Sequence, residues 1–169
     1  VARPEERHFV GFRLRREPLD GSVEVLLSKR SKERVDARIR ELVPRNWGNS
    51  VDACIQQVNR YLLGWIQFFG ICTEGVERML GNLDAHIRRR LRALQLKHWK
   101  CKKTIAKKLI ALGIKRHAAW RSVYDGRKSI WVLSHANVVD RALPNSHWDA
   151  RGLFSVRKHW RAMREQVDA

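Results

Sequence analysis

The sequence is short of several features that define whole classes of protein. Its 169 residues include only three cysteines, Cys54, Cys72 and Cys101, which lie far apart and lack the paired spacing of zinc modules. The most apolar run, from Tyr61 to Cys72, is broken by two glycines and a glutamine and is too short to cross about 30 Å of hydrocarbon. Charged residues near the N-terminus stand where a cleavable signal would have its apolar core, so we expect no such signal. We therefore expect a protein of a reducing, intracellular compartment that is not secreted and does not span a membrane.

Acidic residues are also scarce, and one long window has none. The chain contains 35 Lys and Arg against 17 Asp and Glu, which gives a net charge of +18. Residues 85–121 hold 13 of the basic residues and no acidic residue. A compact fold with so much local charge would repel itself unless a polyanion were its partner. Nucleic acid is therefore the leading interpretation, and an anionic membrane surface is the second.

The segment NLDAHIRRRLRAL, from Asn82 to Leu94, combines this charge with an apolar helical stripe. At about 100° per residue, Ile87 and its neighbours at spacings of three and four face a core. Arg88 and Arg92 lie about 100° and 140° round the helix from Ile87, on one line with Gln95 and Trp99. Arg89 points away from the core, and Arg90 borders it. We therefore predict an exposed cationic outer face, with Arg90 paired to a carboxylate such as that of Glu41 or Asp52.

The remaining periodicity predicts a mainly α chain behind a short N-terminal β-hairpin. HFVGFRL and VEVLL flank a turn that reads PLDG. Three amphipathic helices are expected next, over about residues 31–43, from the N-cap Ser50 to Phe69, and from near Gly75 to Lys100. Together they are expected to form a small three-helix bundle. A short helix with Thr104 as its cap and Gly113 as its stop follows. KRHAAWRSV, ANVVDRAL and SVRKHWRAMREQV predict further helices, whereas GRKSIWVLSH predicts an extended segment.

These elements suggest three regions. Residues 1–30 form the hairpin, residues 31–100 the bundle, and residues 101–169 a small basic module of short helices. Trp47, Trp65, Trp120, Trp131 and Trp160 are expected to pack, whereas Trp99 is open to either packing or stacking on a base.

Two groups of possible ligands do not make convincing metal sites. His98 and Cys101 are a single pair embedded in lysines that would repel a cation. The later residues His135, Asn145, His147 and Asp149 are the types found in a His-Asn-His nuclease, but a convincing hairpin and flanking cysteine pairs are missing. We therefore expect no metal and no catalytic residue in this chain.

Six segments, in order, resemble the C-terminal part of group II intron reverse transcriptases. They are FVGF from Phe9 to Phe12, SKRSKERVDARIREL, VNRYLLGWIQFF, DAHIRRRLRALQLKHWK, LIALGI and ALPNSHWDARGL. The resemblance covers nearly the whole chain from Phe9 onward. It implies a maturase-specific domain, which is also the polymerase thumb, followed by a small DNA-binding region. FVGF stands in the place of the last palm strands.

The resemblance also implies what the chain lacks and what it binds. The fingers and palm, with a Tyr-x-Asp-Asp loop and its Mg²⁺ ions, are expected upstream of residue 1, so the chain alone would hold no cofactor and not polymerise DNA. The implied partners are group II intron RNA, the RNA/DNA template-primer duplex and target DNA. The implied location is the bacterial cytoplasm or an organelle.

Two functional hypotheses remain open at this stage. In the first, which the non-methionine start favours, the chain is the nucleic-acid-binding region of a longer reverse transcriptase and maturase. In the second, it is an autonomous, non-enzymatic splicing cofactor or RNA chaperone derived from a truncated maturase. An upstream reading frame that encodes Tyr-x-Asp-Asp would favour the first.

Both hypotheses place the same residues at the nucleic acid, mostly against phosphates. The expected contacts are Arg34, Arg38, Arg88, Arg89, Arg92, Gln95, Lys97, Trp99, Lys100, Lys102, Lys103, Lys107, Lys108, Lys115, Arg116 and Arg121.

Overall fold

The computed structural model describes residues 10–16, 21–44, 48–126 and 129–167. The described elements are β1 (Phe12–Arg16), β2 (Val23–Leu27), α1 (Lys29–Leu42), α2 (Val51–Phe69), a 3₁₀ turn (Glu74–Val76), α3 (Glu77–His98), α4 (Lys102–Ala111), α5 (Arg116–Tyr124), α6 (Ile130–Leu133), α7 (Asn137–Ala142), α8 (Asn145–Ala150) and α9 (Val156–Val167). The predicted class, mainly α with an N-terminal β-hairpin, is confirmed. Phe9, Trp47 and most of the PLDG turn lie outside the described residues.

The hairpin begins at Gly11, where a residue with a side chain would be strained and crowded. Strands β1 and β2 pair antiparallel, with Phe12 opposite Leu27. Just before β1, Gly11 has a φ of +92°, and its carbonyl oxygen accepts hydrogen bonds from the amide of Ser28 at 3.0 Å and the hydroxyl of Ser31 at 2.7 Å. A Cβ at Gly11 would lie 2.8 Å from the Ser31 hydroxyl oxygen. The glycine of FVGF is therefore needed both for its backbone angle and for the close approach of α1.

The chain divides into two compact units. Unit 1 comprises the described residues of 1–42, 58–84 and 154–169, and unit 2 those of 43–57 and 85–153. Helices α2 and α3 contribute residues to both. The predicted apolar stripes are buried: Val35 and Ile39 of α1 are 1% and 0% exposed, and Leu80 and Ile87 of α3 are each 1% exposed.

In unit 1, a buried carboxylate anchors the last helix. Asp84, on α3, is 4% exposed. Its oxygens accept hydrogen bonds from the Ser155 hydroxyl at 2.7 Å and from the amides of Val156 and Arg157 at 3.0 and 3.2 Å. These amides open α9, where helix N–H groups have no partner inside the helix. Asp84 therefore caps α9 from a distant part of the chain.

In unit 2, α4 ends as the sequence predicts but begins earlier. Gly113 has a φ of +89°, and the amides of Gly113 and Ile114 donate to the carbonyls of Ile110 and Leu109 at 2.9 and 3.1 Å. This is the left-handed glycine stop expected at a helix C-terminus. The prediction that Thr104 caps the helix is wrong, because Cys101 is the N-cap and Thr104 lies inside the first turn.

The extended segment predicted from GRKSIWVLSH is also wrong where the structure describes it. Residues Ile130–Leu133 form the short helix α6, and the Ser129 hydroxyl caps it by accepting a hydrogen bond from the Val132 amide at 3.2 Å. The β-branched and aromatic residues favour a strand, but no strand partner is present among the described residues of unit 2. The cap and the burial of Leu133 stabilise the helical turn.

Candidate nucleic-acid interface

Most of the charge excess of the chain lies in the sequence segments of one unit. Residues 43–57 and 85–153 contain 18 Lys and Arg against 4 Asp and Glu, whereas residues 1–42, 58–84 and 154–169 contain 17 against 13. The basic residues of unit 2 come mainly from the second half of α3 and from α4 and α5. A polyanion attracted to this chain would therefore be held mainly by unit 2.

The second half of α3 is buried on more sides than its sequence predicts. Besides Leu91 and Leu94 of the apolar stripe, Arg92, Ala93 and Leu96 are at most 9% exposed. Buried residues off the apolar stripe mean that a second element covers this helix, although Arg89 and Lys97 stay exposed. The prediction of an exposed cationic line through Arg92 is therefore wrong.

The structure gives Arg92 partners within unit 2. Its guanidinium lies 2.6 Å from the carboxylate of Asp140 on α7 and donates a 3.0 Å hydrogen bond to the carbonyl of Leu143, just after α7. Burial lowers the pKa of Arg92, the Asp140 carboxylate opposes that shift, and the neighbouring charges of Arg88 and Arg89 add to it. The guanidinium remains charged, and its contacts are to α7 and Leu143 rather than to a ligand.

Arg90 and Gln95 are also tied into the unit. Arg90 donates two hydrogen bonds to the carbonyl of Val43, at 3.1 and 2.6 Å. Gln95 accepts one from Arg151 at 3.1 Å, and Arg151 also pairs with Asp52 at 2.7 Å. Asp52, one of the two carboxylates predicted for Arg90, thus pairs with Arg151, and the other, Glu41, pairs with Arg38.

The other predicted cations of unit 2 reach solvent. Arg88 is half-buried, and the exposed members are Arg89, Lys97, Lys100, Lys102, Lys103, Lys107, Lys108, Lys115, Arg116 and Arg121. Leaving Lys97 aside, none of these side chains pairs with a carboxylate among the described residues. In unit 1, by contrast, Arg15 pairs with Glu24 and Lys29 with Glu33. The exposed charge of unit 2 is therefore available to an external anion.

A left-handed residue separates α3 from α4. Lys100 has a φ of +65°, an unusual angle for a residue with a side chain. Half-buried Trp99 precedes it, and Cys101 follows with an exposed thiol whose sulfur lies 3.1 Å from the Thr104 hydroxyl. That hydrogen bond lowers the pKa of the Cys101 thiol. The turn thus places Lys100, Lys102 and Lys103 around the start of α4.

Two predicted contacts belong to unit 1. Arg34 and Arg38 are exposed on α1. Arg38 pairs with Glu41 at 2.7 Å, and its guanidinium lies 6.0 Å from the centroid of the Tyr61 ring. Part of the charge of Arg38 is therefore already balanced within unit 1.

Comparison with protein families gives the decisive match. Residues 32–112 match the model of the group II intron maturase-specific domain. Over this range the chain is similar to a group II intron maturase-specific domain. This confirms the resemblance drawn from the sequence over residues 32–112, from within α1 to just after α4. The segments FVGF and ALPNSHWDARGL lie outside the match. Comparison with curated proteins gave no match.

The maturase-specific domain contains most of the predicted contacts, from Arg34 to Lys108, whereas Lys115, Arg116 and Arg121 follow it. Within the described ranges, no three Cys, His, Asp or Glu side chains are grouped so that they could hold a metal ion. No described helix is both long and apolar enough to cross a bilayer.

Proposed function

We propose that this chain binds group II intron RNA through the phosphate backbone and thereby assists splicing. The observation that carries the proposal is the set of cations in unit 2, exposed except for half-buried Arg88, that pair with no carboxylate among the described residues. These are Arg88, Arg89, Lys100, Lys102, Lys103, Lys107, Lys108, Lys115, Arg116 and Arg121, and Lys97 is exposed beside them. Arg92 is excluded because its guanidinium is buried against Asp140 and Leu143.

Backbone recognition suits both the residues and the nucleic acid. An A-form helix presents a wide, shallow minor groove with phosphates at its rims, and proteins recognise it mostly by shape and backbone contacts. Lysines and arginines bind phosphates without reading sequence. The same surface would grip a template-primer duplex in a chain attached to polymerase domains, and target DNA is a further polyanion it could hold. The RNA-binding proposal applies equally to an attached chain and to a free-standing splicing cofactor.

Salt dependence provides the test. Each phosphate that a cation neutralises releases counterions and adds about 0.7 to 0.9 to the slope of log affinity against log salt. Replacing Lys102, Lys103, Lys107 and Lys108 with Gln should therefore lower that slope by about three units. The binding isotherms would use an RNA hairpin with a two-turn stem and a transcript of a self-splicing group II intron.

A matched variant separates local contact from overall charge. Changing Lys29, Arg60, Arg78 and Arg157 to Gln removes the same charge from exposed positions of unit 1. We expect this variant to retain nearly the wild-type slope. Equal losses in the two variants would contradict a contact surface in unit 2, and a wild-type affinity that did not change with salt would refute backbone binding altogether.

A further inference from the structure

A pair of stacked aromatic rings, one exposed and one half-buried, lies among the cations of unit 2. Trp120 and Tyr124 are one helical turn apart on α5, with ring centroids 5.4 Å apart and planes inclined by 23°. Tyr124 is 50% exposed. The buried side of α5 is formed by Ala119 and Val123. The Tyr124 ring is therefore not a core residue of this helix.

A lysine from the neighbouring helix lies against the same ring. The ammonium of Lys102, at the start of α4, is 5.6 Å from the centroid of Tyr124. Lys102 is exposed and pairs with no carboxylate among the described residues. The arrangement thus combines an accessible aromatic surface with an adjacent positive charge, the two features that single-stranded nucleic-acid sites share.

The strengths of the cation–aromatic contact and of base stacking decide whether a base could displace Lys102 from the Tyr124 ring. A cation over an exposed aromatic ring changes an equilibrium constant by about 2- to 5-fold. Stacking of a nucleobase on an aromatic side chain changes it by about 5- to 150-fold. A base can therefore displace the Lys102 ammonium from Tyr124, and the long lysine side chain can then reach the adjoining phosphate.

We propose that Tyr124, backed by Trp120 and flanked by Lys102, is a stacking site for an unpaired nucleobase of bound RNA. The inference rests on the proposed RNA binding by unit 2, but it adds a distinct property. Phosphate contacts do not distinguish paired from unpaired nucleotides strongly, whereas a stacking site requires a base that is free of its own helix. The chain should therefore prefer RNA with a bulge or loop over a fully paired stem.

The test compares two RNA hairpins that differ only in one bulged 2-aminopurine. Wild-type protein should bind the bulged hairpin about 5- to 150-fold more tightly than the paired one and quench the 2-aminopurine fluorescence. Tyr124→Phe keeps the ring and should keep both effects. Tyr124→Leu removes the ring and should abolish the preference and most of the quenching, while the salt slope on the paired hairpin remains.

Controls distinguish failure of the stacking site from failure of RNA binding as a whole. Phe68→Leu alters another half-exposed aromatic, in unit 1, and should change neither effect. Melting curves establish that each variant is folded. Failure of the wild type to bind either hairpin would overturn RNA binding and the stacking site together. Salt-dependent binding to both hairpins with equal affinity, unchanged in Tyr124→Leu, would overturn the stacking site alone.

Discussion

Replacing Arg92 with Gln should unfold the protein more readily without removing a contact to nucleic acid. The side chain of Arg92 is 10% exposed, and its guanidinium is shared between the Asp140 carboxylate and the Leu143 carbonyl. Gln is too short to reach both groups. The variant therefore leaves the acceptor at Leu143 without its donor and removes the ion pair to α7.

The expected cost can be worked from those two contacts. A buried acceptor that loses its donor costs about 1 to 3 kcal/mol. The ion pair adds less than a fully buried pair would, because the Asp140 side chain is 62% exposed, and such pairs contribute about 1 kcal/mol or less. The total is about 1 to 4 kcal/mol, which corresponds to a drop in melting temperature of roughly 2 to 16 °C for a chain of this size.

The assay pairs thermal and urea unfolding with salt-dependent RNA binding. Asp140→Asn is the first control: it keeps the bond to Leu143 and should cost about 1 kcal/mol or less. The second control changes Arg88 and Arg89 together to Gln. It should leave the free energy of unfolding within about 0.5 kcal/mol of wild type and lower the salt slope by about two units.

The reasoning fails if the two arginine variants behave in the opposite way. An Arg92→Gln protein with wild-type stability and a reduced salt slope would mean that this guanidinium contacts RNA. In that case the bonds to Asp140 and Leu143 would contribute nothing measurable to folding.

Two further predictions concern a buried carboxylate and the cysteines. Asp84→Ala should cost about 2 to 4 kcal/mol, because the α9 amides lose a buried cap; unchanged urea unfolding would show that α9 is held by its apolar contacts alone. Burial raises the pKa of the Cys54 and Cys72 thiols to about 11, so iodoacetamide should modify Cys101 first and the buried pair only on unfolding. Because the Thr104 hydroxyl lowers the pKa of Cys101, the thiolate forms at lower pH than in an ordinary thiol, and Thr104→Val should shift the pH midpoint of alkylation upward. Identical midpoints in the two proteins would contradict the role of Thr104.

The helices and their stops are readable from sequence because their causes are local. Ser50 precedes α2, and its hydroxyl accepts the Ala53 amide at 3.1 Å, as an N-cap should. Gly113 ends α4 because the left-handed angle there suits glycine. Val35 and Ile39 are buried because they recur on one side of α1.

The burial of Arg92 is not readable from α3, because its cause lies in a later part of the chain. Arginine is among the residue types that are rarely buried, and only its pairing with Asp140 and Leu143 makes burial favourable here. One local signal was available. Ala93 and Leu96 lie off the predicted stripe of α3, so the helix is apolar on more than one face and calls for a second covering element.

The arginines of α3 illustrate why a charge run alone does not define a binding surface. Arg90 and Arg92 donate to backbone carbonyls within unit 2, and their charges stabilise the fold that presents the others. Arg88 and Arg89 have no carboxylate partner among the described residues, and they add to the field that lowers the pKa of Arg92. A bound phosphate beside Arg88 or Arg89 would relieve that repulsion. The same helix therefore links folding to anion binding: Arg90 and Arg92 hold the unit together, and Arg88 and Arg89 gain most from a polyanion.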